Sequence, residues 1–273
     1  EHTELEDRIR EKLSEQIHPY KKEINEALVN TATLDILLAK AQQTIDMQLC
    51  KPEISTSTTR YIKIFNPQVK EVLWQEGKKF QAIDIDIEQG ACLITGANMA
   101  GKSVILKTVA LAQTLFQFGF YVPAEQAEIA LVDEVLLCIG DEQSELSGLS
   151  SYASEMLRVN AIVQDVKAGK NALILIDELA RTTNPTEGKA IVNAMLNFLT
   201  DKAARSLITS HYSGIKARCK KMRVKGFVKE YVKGQLTINN INEFSDYSLI
   251  EDTHDSVPQE AMRIARILGI DEE

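Results

Sequence analysis

Gly96-Ala97-Asn98-Met99-Ala100-Gly101-Lys102-Ser103 fits a pattern of glycine, four free positions, Gly-Lys and a hydroxyl residue. The flanks supply the context this pattern needs. Ala91 to Thr95 is a short apolar run that reads as a buried strand. Val104 to Phe118 has helical apolar spacing and no interior glycine or proline. Strand, glycine loop and helix in that order present backbone N–H groups and a helix N-terminus to a phosphate. Gly96 and Gly101 permit the tight loop. Lys102 offers positive charge to the β- and γ-phosphates, and Ser103 offers a hydroxyl to Mg²⁺. Residues 96–103 are therefore expected to cradle a nucleotide.

A second acidic element complements the loop. Leu173-Ile174-Leu175-Ile176 reads as a central strand, with Asp177 emerging at its carboxyl end and Glu178 next. Ligands of open α/β sheets bind at that edge. Asp177 is expected to hold Mg²⁺ and Glu178 to polarise the attacking water. The apolar run Ser206 to Thr209 leads to Ser210-His211-Tyr212, which places His211 on the same edge, able to sense the phosphate or orient water. The serine-rich stretch Leu146 to Tyr152 precedes a helix and reads as an anion site, a helix cap, or both.

The rest of the chain alternates between strand and helix patterns. Tyr61 to Phe65, Ile83 to Ile87, Ala127 to Leu131 and Val135 to Ile139 read as strands. Ser151 to Val166 and Thr186 to Leu199 read as helices. This alternation predicts an α/β core with a largely parallel central sheet. Phe227 to Ile241 is expected to form a hairpin turning at Lys233-Gly234, and Pro258 to Leu268 a last helix. Ahead of the core, Leu5, Ile9, Leu13, Ile17, Tyr20, Ile24 and Leu28 recur at helical steps. A second helix is expected from Ala32 to Leu49, ended by Pro52. Residues 1–50 thus read as a helical hairpin or lever, and residues 51–273 as the nucleotide-binding domain.

Composition narrows the function classes. At 44% hydrophobic and 26% charged, the 273 residues are ordinary for a globular protein. No apolar run approaches a membrane span and no leader pattern opens the chain, so no membrane partner and a cytoplasmic location are expected. The four cysteines (Cys50, Cys92, Cys138, Cys219) form no CxxC pair and fit reduced structural thiols. The sequence starts at Glu1 without an initiator Met and reads as a fragment. A formal net charge of −8 argues against stand-alone nucleic-acid binding. The local basic stretch Lys216, Arg218, Lys220, Lys221, Arg223, Lys225, Lys229 and Lys233 reads foremost as a solvated face, with contact to DNA or an acidic partner as the alternative.

Taken together, these motifs resemble the ATPase domain of the MutS family, a branch of the ABC-type ATPases. The loop 96–103 is similar to the family's Gly-Pro-Asn-Met-Gly-Gly-Lys-Ser, with Ala97 and Ala100 as departures. Tyr121-Val122-Pro123-Ala124, Asp177-Glu178-Leu179 and Ser210-His211-Tyr212 match further family elements. Ile139 to Ser144, Val104 to Val109 and Asn184-Pro185-Thr186-Glu187-Gly188 lean toward the recombination-suppressor branch. Asn98-Met99 and Ser103 lean toward the mismatch-repair branch. Arg181-Thr182-Thr183 replaces a glycine-rich stretch, and Ala100 is expected to accept a conformation normally given to glycine.

The resemblance implies a P-loop ATPase of ABC type that binds ATP with Mg²⁺ and hydrolyses it. Two such domains, as a homodimer or paralogous heterodimer, would sandwich ATP between one glycine loop and the other subunit's signature segment. Ser150 matches the trans-acting serine of that segment, with Ser147 as a rival, and Phe80 matches the residue that packs on adenine. The implied role is DNA mismatch repair or recombination, with DNA reached through domains absent from this chain. The alternative is a reactivating chaperone for a cobalamin-dependent aminomutase, acting on a protein client.

Overall fold

The structure, a computed structural model, describes residues 2–97, 100–139, 151–228 and 244–252. It divides into two compact units, residues 1–48 and 49–273. The first is helical. Helix α1 (His2–Ile17) runs into a 3-10 turn (His18–Tyr20) and then helix α2 (Lys21–Met47). The expected break near residue 30 is absent, so these elements do not form a hairpin turning there. No glycine or proline interrupts 21–47, and Thr31 and Thr33 donate their hydroxyls to the carbonyls of Ala27 and Val29 at 2.7 and 2.8 Å. The interruption falls instead at Pro19, which favours a tighter turn at a helix start. Gln48 ends α2 in a left-handed conformation, ahead of Pro52.

The second unit is an α/β assembly of two sheets. A four-stranded sheet joins β1 (Glu53–Ser55), β2 (Thr59–Ile64), β3 (Ile83–Ile87) and a strand from further along the chain, β5 (Gln126–Ala130), in the order β1-β5-β2-β3. It is mixed: β1 pairs parallel with β5, while β2 runs antiparallel to both its neighbours. Between β2 and β3 lies helix α3 (Pro67–Gln75). Asn66, expected only to end a strand, caps this helix by accepting the Val69 N–H at 3.2 Å, with Pro67 in the first turn.

The larger sheet contains β4 (Ala91–Thr95), β6 (Glu134–Cys138), β7 (Ala172–Ile176), β8 (Ser206–Thr209), β9 (Lys220–Phe227) and β10 (Ser245–Glu251). Its order is β10-β9-β4-β8-β7-β6, parallel throughout except for the antiparallel pair of β9 with β10. The apolar runs of β4 and β7 are explained by burial on both faces. Cys92, Ile94, Leu173 and Leu175 face a core built with α4 (Lys102–Gln117) and the smaller sheet. Leu93, Ile174 and Ile176 face the opposite core, formed with α5 (Ser151–Lys167) and α6 (Pro185–Asp201). The proposed turn at Lys233-Gly234 and the helix Pro258 to Leu268 lie outside the described residues. The hairpin expected over Phe227 to Ile241 falls almost wholly outside the described residues as well; among the described residues, 220–227 pairs antiparallel with 245–251.

Leu106 of α4 is fully buried between the two sheets. Leu106→Ala is expected to destabilise the protein by about 2–5 kcal/mol, through lost burial and the cavity left behind. Urea denaturation checks this: the midpoint should fall with the slope unchanged.

Candidate functional site

The parallel register brings three strand ends side by side. The loop from Gly96 leaves β4, Asp177 and Glu178 leave β7, and Ser210-His211 leaves β8, the strand between them. Gly101 caps α4 in the left-handed region at φ 79°, and a Cβ there would lie 3.3 Å from the Tyr247 ring. Glycine is needed on both counts. Gly101 takes the left-handed conformation. Ala100 is buried against the core, and its backbone angle rests on Met99, which lies outside the described residues.

Behind the loop the side chains form one connected network. Lys102, 4% exposed, donates to the Gly96 and Ala97 carbonyls at 2.9 and 3.0 Å and stands 3.7 Å from the Glu178 carboxylate. Ser103 donates to Asp177 Oδ2 at 2.5 Å, and Thr209 donates to Asp177 Oδ1 at 2.6 Å. The Thr209 hydroxyl also accepts the Glu178 N–H at 2.8 Å. Thr209 is fully buried and was not singled out from sequence; its signal is a hydroxyl ending an apolar strand beside His211. The other Glu178 oxygen faces Arg181 at 3.5 Å.

A metal at this point would rest on Ser103 and Asp177. No group of three or more His, Cys, Asp or Glu suited to a metal occurs among the described residues. A hydroxyl and a carboxylate that already share a hydrogen bond suit Mg²⁺, which takes few protein ligands and completes its shell with water and phosphate.

Beside the loop lies a cavity of about 670 Å³ bordered by Gly101, Val104, Ile105, Phe80 and Tyr247. Gln81 ties this wall to β10: its side chain donates to Asp246 and Ser248 at 2.8 and 3.1 Å and accepts the Tyr247 N–H at 3.0 Å. Burial raises the Asp246 pKa, but Lys225, Ser248 and Gln81 outweigh it and hold the carboxyl well below its usual range. Tyr247 escaped the sequence reading because β10, Ser-Asp-Tyr-Ser-Leu-Ile-Glu, carries no clear alternation. Asn98, Met99, Ser147 and Ser150 lie outside the described residues.

Part of the basic stretch is engaged in ion pairs. Lys220 pairs with Glu88 at 2.6 Å, Lys225 with Asp246 at 2.8 Å and Arg218 with Asp201 at 3.6 Å. Lys221 donates to the Ile215 carbonyl at 2.7 Å. Lys229 and Lys233 lie outside the described residues.

Burial lowers the His211 pKa. The Glu178 charge opposes that shift, and Lys102 and Arg181 add to it. The folded state thus disfavours the imidazolium, and the unfolded chain binds the extra proton as pH falls below about 6.5. The contribution of His211 to stability is present above that pH and is lost on acidification. Between about pH 7.5 and about pH 5.5, the denaturation midpoint should fall further for the parent protein than for His211→Gln.

Comparison with known proteins identifies the family. Residues 92–252, which hold the glycine loop, the Asp177-Glu178 pair and His211, match the family described as MutS domain V. Endonuclease MutS2 of Caldanaerobacter subterraneus subsp. tengcongensis is 35% identical over 213 residues, covering 77% of this chain and 26% of that protein. Endonuclease MutS2 of Finegoldia magna is 31% identical over 272 residues, 97% of this chain and 32% of that protein. The Thermus thermophilus protein of the same name is 31% identical over 245 residues, with shares of 88% and 30%. The chain spans between a quarter and a third of the length of these curated relatives. It belongs to the MutS family and carries that family's ATPase domain.

Proposed function

We propose that this chain is the ATP-binding and ATP-hydrolysing module of a MutS-like DNA repair or recombination protein, built on the ABC-type plan. The observation that carries this reading is the convergence of Lys102, Ser103, Asp177 and Glu178 at the carboxyl ends of β4 and β7. Lys102 leaves its two loop carbonyls and turns to the β- and γ-phosphates. Ser103 and Asp177 hold Mg²⁺, which when bound neutralises phosphate charge. Glu178, next to the Lys102 cation, polarises the attacking water. His211, held neutral by its surroundings, orients that water or senses the γ-phosphate. The adenine enters the cavity beside Gly101 and stacks on Phe80, with Tyr247 on the same wall.

In this reading hydrolysis is shared between two modules. Ser150 of one closes over ATP held by residues 96–103 of the other, in a homodimer or paralogous heterodimer. ATP closes the pair, hydrolysis reopens it, and α1 and α2 carry the motion onward. DNA is met by parts of the full-length protein beyond this chain. Two observations favour that division: the relatives are named endonucleases, and Lys220 and Lys225 of β9 are engaged by Glu88 and Asp246. No helix among the described residues is long and apolar enough to cross a membrane, and we place the protein in the cytoplasm.

Three variants test these roles in the full-length protein. Lys102→Ala should weaken ATP binding by about ten- to hundredfold, the value of lost charge-assisted hydrogen bonds. Glu178→Gln should bind ATP normally and turn over at least about a hundredfold more slowly. Phe80→Ala should weaken ATP binding roughly tenfold through lost stacking. Calorimetric titration and phosphate release measure all three. Normal turnover in Glu178→Gln removes that residue from its role. The hydrolysis rate per subunit should also rise with protein concentration, and a flat profile contradicts the shared site.

A further inference from the structure

Consecutive residues leaving a strand point to opposite faces. Yet Asp177 and Glu178 both reach the glycine loop, one at Ser103 and the other near Lys102. The backbone achieves this with two left-handed residues that are not glycine, Glu178 at φ 47° and Ala180 at φ 60°. L-residues disfavour that region, and such an elbow persists only where its surroundings determine it.

Those surroundings are specific. The Ala180 N–H donates to Glu155 Oε1 of α5 at 2.8 Å. The Ala180 carbonyl accepts the Tyr212 hydroxyl at 2.7 Å. The peptide units flanking Ala180 are thus gripped from two directions, while Leu179 and Ala180 are fully buried. Tyr212 reaches this position because Gly188 of α6 leaves room: a Cβ at 188 would overlap the phenol ring and its hydroxyl. Tyr212 also packs against His211, with ring centroids 4.2 Å apart.

We propose that Glu155 and Tyr212 are positioning residues that clamp the Ala180 elbow and thereby aim the Glu178 carboxylate at the glycine loop. Helix α5 and the chain after β8 then set the alignment of the water-polarising group without touching nucleotide. The proposal rests on the reading of Glu178 as that group.

The test uses the full-length protein with ATP. Glu155→Ala and Tyr212→Phe should each lower kcat by about five- to tenfold, the value of one hydrogen bond, with the ATP dissociation constant unchanged within about twofold. Glu155→Gln keeps an acceptor oxygen and should hold kcat within about twofold of the parent. Ala180→Gly adopts the left-handed conformation unaided and should restore much of the kcat lost in Tyr212→Phe. A purely structural role would lower the denaturation midpoint and leave kcat and its rescue pattern unmoved; that result overturns the clamp. So does a parallel loss of ATP affinity and kcat. If Glu178→Gln turns over slowly while both clamp variants are normal, the clamp alone is wrong. If Glu178→Gln is itself normal, the role of Glu178 fails and the clamp's purpose fails with it.

Discussion

Asp177 accepts two hydroxyl hydrogen bonds at once, from Ser103 at the start of α4 and from Thr209 at the end of β8. Hydrogen bonds to a carboxylate are about twice as strong as neutral ones, and here they join elements from three neighbouring strands. The Thr209 hydroxyl passes the connection on by accepting the Glu178 N–H. The arrangement of the site follows from this junction. It sets the first turn of the loop's helix beside the acidic strand, and it fixes where the chain bends to bring Glu178 toward Lys102.

The junction stands on a rigid base. β4 and β7 are buried on both faces, so their carboxyl ends have little freedom to shift. The proposed functional residues sit where regularity stops: Gly101 with its left-handed cap, the elbow at 178–180, and His211 beyond β8. Local strain at such points is tolerated because the sheet and the clamping side chains determine it. The pairing of Lys102 with backbone carbonyls and Glu178 helps satisfy a buried cation, and the same cation is the one a triphosphate would draw away.

Much of this was legible in the sequence, for physical reasons that differ by element. The runs 91–95 and 172–176 announce doubly buried strands because burial on both faces removes every polar position. The loop 96–103 and Asp177-Glu178 stand out because phosphate and Mg²⁺ chemistry would ask for those residue types, and the fold brings Lys102, Ser103, Asp177 and Glu178 together. Thr209 and Tyr212 were not assigned roles because their partners lie 32 residues away in sequence and meet only through the sheet register. Helix α3 hid behind Asn66-Pro67, a pair that stops strands and starts helices equally well. The boundary between α1 and α2 was misplaced because their apolar residues, such as Leu5, Ile9 and Leu28, stay more than half exposed; periodicity without burial does not locate a turn.

The most direct measurement is the affinity for ATP with and without Mg²⁺, in the full-length protein and in Asp177→Asn. If Asp177 and Ser103 hold the metal beside the phosphates, Mg²⁺ strengthens ATP binding in the parent and adds little in the variant. An equal gain from Mg²⁺ in both proteins would contradict the account.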